Sequence, residues 1–498
     1  MMTGIDAAPR LRCPALHFTP PQGWMNDPNG LVYFEGEYHL FYQYHPHDRV
    51  WGPMHWGHAV SCDLCRWEHL PPALVPDADG MCFSGSAIVD RDDTSGLFGG
   101  EPGLLAFYTV HRETAGDPGD YVQEPCLAYS RDRGRSWQKY PGNPILPNPG
   151  LRDFRDPKVV WHAPSRRWVM ALACGQVIRF YVAENLLDWR LASEFGEGQG
   201  AHTEGPWECP DLFELPVEGR QATRWVLLVG VGAGEQESFG SFTQYFVGHF
   251  GGERFHNENP AETVLMMDEG RDFYAVQTWS DVPDGDGRRL AIAWLNNWLY
   301  ANQIPEAGWR GTLSFPRELS LEETGEGIRL RQALAAELGT AGGLSPSRMA
   351  NSTDALMAGD NVLIEQGPSA AHGRLSLQMA PGTTLEFDLQ QAGQMLLRIT
   401  HDGSALRLEH RREGRNGDPD FDRHFPHHLT GQRMAKTDIE LEWLVDRGSL
   451  ELLVDGGRYA ATHLGITDPF HQPVTVRLVA GSARLTEGRY QGVIDPLE

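Results

Sequence analysis

Four times within its first 255 residues the chain closes an apolar, strand-like run with a polar turn and then an aromatic residue. Ser61-x-Asp63 leads to Trp67, Ser130-x-Asp132 to Trp137, Ala183-Glu184 to Trp189, and Gly248-His249 to Phe255. The runs they close are Trp56–Val60, Leu127–Tyr129, Ile178–Val182 and Tyr245–Val247, and the aromatics are spaced by 70, 52 and 66 residues. A unit of that length holds one four-stranded sheet, and sheets repeated in sequence are the pattern of a β-propeller. About 310 residues at this period accommodate about five blades. A chance recurrence of common surface turns is the competing explanation. Glycine (56) and proline (34) are dense among the 498 residues, which suits short strands joined by turns rather than long helices.

The repeat stops, and composition changes with it. Fourteen of 15 tryptophans lie at or before Trp309, with only Trp443 beyond, and no cysteine follows Cys209. Glu322 to Gly327 reads as a turn, and Ile328 to Leu338 as a short helix. The expected division is therefore a five-bladed propeller over residues 10–325, a linker over 326–344 and a second domain over 345–498. That second domain alternates as half-buried antiparallel strands do, at Leu375–Met379, Thr384–Leu389, Leu406–His410, Asp438–Val445, Leu450–Val454 and Val474–Leu478. Such strands suit a β-sandwich. The whole reads as all-β, a propeller followed by a C-terminal sandwich with few clustered acids or aromatics and no expected chemistry.

A net charge of −25 argues against nucleic-acid binding and against anionic membranes. No apolar run reaches the ~18 residues of a membrane span. No basic start followed by an apolar stretch marks a secretory signal, so the expected location is the cytoplasm unless a leader was removed. The seven cysteines show no disulfide framework. Oligomeric state is left open, a homodimer included.

Three segments concentrate chemistry. Trp24-Met25-Asn26-Asp27-Pro28-Asn29-Gly30 is good turn sequence, yet its apolar flanks would hold the Asp27 carboxylate fixed at a strand start. Asp153-Phe154-Arg155-Asp156-Pro157 is either a surface ion pair or a guanidinium and a carboxylate aimed into the propeller's central opening. In Pro206-Trp207-Glu208-Cys209-Pro210, an apolar neighbourhood would raise the pKa of Glu208 and make it a general acid; the alternative is a glutamate on the outer face of a strand. Cys62-Asp-Leu-Cys65 lacks a second pair, and His55-Trp-Gly-His58 lacks the glutamate of a helical zinc motif. No metal and no cofactor is therefore expected, and no phosphate-binding glycine loop is present.

Together, in this order, the segments resemble glycoside hydrolase family 32, the invertases, inulinases and levanases. Trp24–Gly30 is similar to its WMNDPNG motif, Arg155-Asp156-Pro157 to its RDP motif and Glu208-Cys209 to its EC motif. Trp51–His58, Phe83–Ser86, Asp272–Ala275, Trp294–Trp298 and Ser314–Leu319 match further blocks. The resemblance implies a five-bladed propeller with a β-sandwich, and hydrolysis of β-D-fructofuranosides with retention. It implies Asp27 as nucleophile, Glu208 as acid/base, Asp156 gripping fructose hydroxyls and Arg155 bonding sugar and carboxylates. It places Asn26, Gln43, Trp51, Phe83, Ser84 and Trp298 around one fructose. The implied partner is a small carbohydrate; the implied enzyme releases terminal fructose from sucrose, fructo-oligosaccharides, inulin or levan, with fructosyl transfer as the alternative. A non-catalytic sugar-binding propeller and an arabinanase-like enzyme are the remaining rivals. Leu453 stands where the family usually has phenylalanine, and His410-Arg411 where a DR pair is common.

Overall fold

The computed structural model describes residues 13–114, 119–234, 239–283, 285–305, 308–340, 344–347, 355–364, 370–388, 395–401, 405–434, 438–465 and 474–493. Leu389 and residues 341–343 of the expected linker lie outside these. Among the described residues, the first part holds five antiparallel sheets, each running outward from its first strand. Those first strands are Gly23–Phe34, Met81–Asp90, Arg155–His162, Trp207–Pro216 and Tyr274–Thr278. Each touches the first strand of the sheet before and after it, so the five close a ring, and the sheets are blades I to V of a propeller. Between blades V and I the ring is sewn by backbone bonds from Tyr33 to Ser280 and from Ser280 to Leu31, both 2.9 Å. Gly23 and Trp24 also pair in parallel with Trp309 and Arg310.

The repeated turns join the third and fourth strands of blades I to IV. In the first, the Asp63 carboxylate accepts backbone N–H groups of Cys65 and Arg66, and the Trp67 indole donates to Leu64 O at 3.2 Å. Trp137 and Trp189 do the same to Gly134 O and Leu186 O, both at 3.0 Å. Leu64, Arg133 and Leu186 all take positive φ (58°, 59° and 64°) to make the bend. The recurring tryptophan thus closes the last hairpin of blades I to III.

The short helix expected over Ile328–Leu338 is instead the strand Gly327–Leu334, followed by a 3₁₀ turn at Ala336–Thr340. Leu330, Gln332 and Leu334 alternate into the core and pair with Arg317–Thr324, so the period is two. Gly325 and Glu326, where the propeller was expected to end, form the turn of this last hairpin of blade V.

Beyond it, two six-stranded antiparallel sheets share one apolar core that includes Leu377, Phe387, Ile399, Trp443 and Val476. They form the β-sandwich. Leu453 leaves that core to pack in a cluster with propeller residues such as Phe315, Leu334 and Leu338, so its shorter side chain bears on the domain interface. Among the described residues no helix is long and apolar enough to cross a membrane.

A buried polar network pins the domains together. Arg317 of blade V is fully buried. It donates to Glu451 of the sandwich (2.5 and 3.0 Å), to Asp268 (2.9 Å) and to Thr462 (2.6 Å). Glu451 also accepts from His17 (2.8 Å), whose other ring nitrogen meets Asp446 (2.9 Å). Burial opposes the His17 charge, but Asp446 and Glu451 lift its pKa to about 9. Burial likewise opposes the Glu451 charge, yet Arg317 and His17 hold its pKa at about 2. The His17 contribution is complete below its unfolded value of about 6.5 and is lost as pH rises through 9. The Glu451 contribution is complete above about 4.5 and is lost as pH falls through 2. The interface is therefore tightest between about pH 4.5 and 6.5. Arg317→Met removes the guanidinium shared by two buried carboxylates and should cost roughly 3–5 kcal/mol. Denaturant unfolding at pH 6 checks this, and a loss under ~1 kcal/mol would contradict the network's role.

Candidate active site

The geometry starts from a defect shared by all five inner strands. Each loses register with its neighbour soon after it begins. The shifts fall between Met25 and Pro28, Phe83 and Gly85, Arg155 and Lys158, Glu208 and Asp211, and Tyr274 and Gln277. These are β-bulges, which free residues from the ladder and re-aim their side chains. Asp156, Cys209 and Ala275 adopt φ of 60°, 47° and 52° within them. Pro28, Pro157 and Pro210 are tolerated there because a bulge does not ask them for a ladder N–H. The bulges bring the polar side chains of separate blades together.

Asp27 accepts from the Ser84 hydroxyl at 2.7 Å and from the Asn26 amide at 3.1 Å. Asn26 is itself held by the Trp24 indole at 2.8 Å. Asp156 accepts the backbone N–H of Cys209 at 3.0 Å, and its own N–H donates to the Thr109 hydroxyl at 3.0 Å. The Cys209 thiol lies between the two aspartates, 3.4 Å from Asp27 and 3.6 Å from Asp156. Glu208 accepts from Arg155 at 2.9 Å through one oxygen and from the Tyr274 hydroxyl at 2.5 Å through the other. Arg155 also donates to Gln123 (3.0 Å) and Asp153 (2.5 Å), and its Nε sits 3.8 Å from Asp156.

Burial sets the electrostatics. It pushes the Asp27 carboxyl above its usual range, against the pull of the Ser84 hydrogen bond, while Glu208 adds repulsion. It raises Asp156 to about 7, helped by Glu208 and Asp27 and opposed by Arg155. Burial works against the Arg155 charge as well, but Glu208, Asp156 and Asp153 hold that guanidinium firmly protonated. The Tyr274 hydroxyl is pushed far up by burial and by Glu208, so it remains a donor. The cluster therefore keeps a proton near neutral pH beside a permanent cation.

Asp156→Asn offers a direct check. A carboxyl whose folded pKa lies near 7 contributes stability that is complete below about 3.8 and lost as pH rises through 7. The Asn variant should match the parent at pH 4 and melt a few degrees above it at pH 8, where the parent carries the buried charge. Parallel melting curves at both pH values would contradict a raised Asp156.

The remaining expected pocket residues surround this cluster. Gln43 sits opposite the Asn26–Asp27 bulge and donates to Cys82 O at 3.0 Å. Phe83, beside Ser84, stacks on His111 (4.3 Å between centroids) and meets Trp51 edge-on at 6.0 Å. Trp298 stacks on Trp24 at 6.0 Å and leans on Trp294 at 4.8 Å. Ser84 is 6% exposed and Trp51 40%, a gradient from floor to rim.

One expectation needs correction. Trp207 does not dry the Glu208 carboxylate. Successive strand residues face opposite ways, and the Trp207 ring stacks on His202 (4.7 Å) and packs with Phe246 inside the blade. The carboxylate of Glu208 lies among polar donors instead. Tyr274, Gln123 and Thr109 were not singled out, since neutral residues in apolar strands give no sign. Tyr274-Ala275 does occupy the same bulge position as Glu208-Cys209, and aligning the inner-strand starts is the signal that finds it. Cys62 and Cys65 belong to the first repeated turn, and His58 bonds His39 and stacks on Phe41.

Comparison with known proteins agrees with this arrangement. The family model described as "Glycosyl hydrolases family 32 N-terminal domain" matches residues 17–333. A levanase of Bacillus subtilis is 47% identical over 464 residues, covering 91% of this chain and 66% of the relative. A levanase of Bacillus sp. strain L7 is 39% identical over 92% of this chain and 49% of its own length. An extracellular exo-inulinase of Aspergillus ficuum is 35% identical over 93% of this chain and 91% of its own. Among solved structures, an exo-inulinase of Aspergillus awamori superposes with a TM-score of 0.85 at 31% identity, covering 97% of this chain and 98% of that one. A β-fructofuranosidase of Schwanniomyces occidentalis complexed with fructosyl-erythritol gives 0.82 at 27% identity, with 99% of both chains covered. The chain spans only about half to two thirds of the length of the two levanases. With 317 of its residues inside the family model and a propeller and sandwich to match, this chain belongs to glycoside hydrolase family 32.

Proposed function

We propose that the chain is an exo-acting β-fructofuranosidase that cleaves terminal fructose from fructans and shorter β-fructosides with retention of configuration. The observation that carries this reading is the convergence of Asp27, Asp156 and Glu208 from three blades, the two aspartates meeting at the Cys209 thiol and Arg155 pairing with Glu208 and Asp156. The names of the relatives, levanases and exo-inulinases, support fructans as the substrate class.

Asp27 attacks the anomeric carbon of the fructosyl unit and forms a covalent ester. Glu208 donates its proton to the departing glycosidic oxygen. A water then enters, Glu208 takes a proton from it, and the ester is hydrolysed with a second inversion, so the net outcome is retention. Asp156 is proton-rich near neutrality and accepts or donates to fructose hydroxyls, strengthening as the oxocarbenium-like charge develops. Arg155 keeps the carboxylates from driving one another apart. Trp51, Phe83 and Trp298 wall one ring, so the pocket takes a chain end.

Proton NMR of freshly released fructose tests the reaction: the β-furanose should appear first, before mutarotation. Early α-anomer would mean inversion and would remove Asp27 as nucleophile. Chromatography of early digests of inulin or levan should give fructose alone; early oligosaccharides would remove the exo assignment.

A further inference from the structure

The strand Ala405–Arg412 of the β-sandwich ends in an arginine that is 1% exposed. Arg412 follows Leu406 and Leu408 on the same face of the strand and, at its end, reaches the propeller. Its Nη1 donates to Asp272 of the propeller at 2.5 Å and to Leu464 O at 2.8 Å. Its Nη2 donates to the Tyr300 hydroxyl at 2.8 Å, and its Nε to Phe425 O at 3.0 Å. The guanidinium also lies over the Phe425 ring at 3.8 Å. Asp272 takes two further donors, the Tyr300 hydroxyl at 2.6 Å and the Leu464 N–H at 2.9 Å. Four of the five guanidinium N–H donors are thus engaged.

What this clamp holds is one step from the chemistry. Two residues after Asp272 the chain turns into the blade V bulge and presents the Tyr274 hydroxyl to Glu208 at 2.5 Å. Two residues before Tyr300 stands Trp298, stacked on Trp24, whose indole holds the Asn26 that bonds Asp27. A buried ion pair is a poor source of stability compared with apolar packing. The domains are already joined by the Arg317 network and a shared apolar cluster. A planar, bidentate fork is nevertheless well suited to fixing position and angle.

We propose that Arg412, supplied by the β-sandwich, is a positioning residue for the acid/base: by fixing Asp272 it sets the Tyr274 hydroxyl against Glu208. The inference rests on the reading of Glu208 as proton donor. It gives the second domain a part in aligning the reaction, beyond shielding the propeller.

The test compares sucrose, whose leaving group needs a proton, with a nitrophenyl β-D-fructofuranoside, whose leaving group does not. Arg412→Lys and Arg412→Met should lower kcat on sucrose by about 10- to 100-fold, since small misplacements at a reacting centre have effects of that size. KM on sucrose should stay within about threefold, and the nitrophenyl substrate should lose less than about threefold in kcat/KM, which reports bond cleavage apart from the later water step. Lys should recover part of the Met loss. Tyr274→Phe should show the same contrast, and the double variant Arg412→Met/Tyr274→Phe should be no worse than the poorer single one. Equal losses on both substrates in a variant that melts like the parent, or losses that multiply in the double variant, would overturn the proposal. If Arg412 variants do not fold, Tyr300→Phe and Asp272→Asn keep the rings and volumes while removing bonds of the same clamp, and the same contrast is required of them. Glu208→Gln serves as the control: if it shows no leaving-group contrast, the fault lies with the acid/base reading and not with Arg412.

Discussion

Asp27→Asn should reduce kcat on sucrose and fructans by roughly four orders of magnitude or more while the melting temperature holds or rises. The substitution is nearly isosteric, and the Ser84 and Asn26 contacts sit in a rigid bulge. It deletes the carboxylate proposed to form the ester, and it removes a buried charge that burial and Glu208 already disfavour. No neighbouring carboxylate can substitute. Asp156 is anchored on the Cys209 backbone N–H, and Glu208 is tied between Arg155 and Tyr274. Initial rates and thermal melts on the same preparation decide the matter. Residual activity above ~1% would mean that the ester forms elsewhere or not at all.

Glu208→Gln should cost about 10² to 10⁴ in kcat on the same substrates, the range for a lost general acid. The pattern matters more than the size. A glutamine cannot protonate the leaving oxygen, but a nitrophenolate leaves without that help. With the nitrophenyl fructoside the first step should remain fast and the second, which needs water to be activated, should stall. Stopped-flow absorbance should then show a burst of nitrophenolate close to one per enzyme, and intact-mass analysis should show the fructosylated chain. Slow linear release without a burst would contradict the acid/base role.

Much of this was visible in the sequence because it rests on local chemistry. The strand–turn–aromatic repeat follows from a hairpin that needs an acceptor-rich turn and an indole to close it, and such needs leave fixed residues at fixed offsets. The prolines after Asp27, Asp156 and Cys209 also stood in plain view. Their meaning did not, because a bulge is a relation between two strands and a period-two pattern in one strand cannot display it. The same limit explains Trp207. Its neighbour Glu208 shares its sequence surroundings but points to the other face, so an apolar context along the chain became a polar one in space. Tyr274, though inside the matched block Asp272–Ala275, and Arg412 were given no role for a related reason. Each acts through a partner supplied by another blade or the other domain, and neither residue type is unusual where it stands. The helix expected at 328–338 failed because alternation spoiled by Gln332 imitates a longer period, until pairing with Arg317–Thr324 gives that glutamine a buried partner.

The ring closure between blades V and I has a kinetic meaning. Asp27 leaves the ribosome early, while the strand that seals its blade, Trp309–Arg310, and the sandwich clamp on Asp272 follow about 280 and 385 residues later. Individual blades are hairpin meanders that can form from nearby chain, but the ring cannot close until both ends exist, and contacts so distant in sequence form slowly. A growing or freshly diluted chain will therefore acquire sheet before it acquires turnover. Recovered activity becomes a clock for the final docking event, and any lesion that delays closure will look like a catalytic defect in a chain whose every blade is sound.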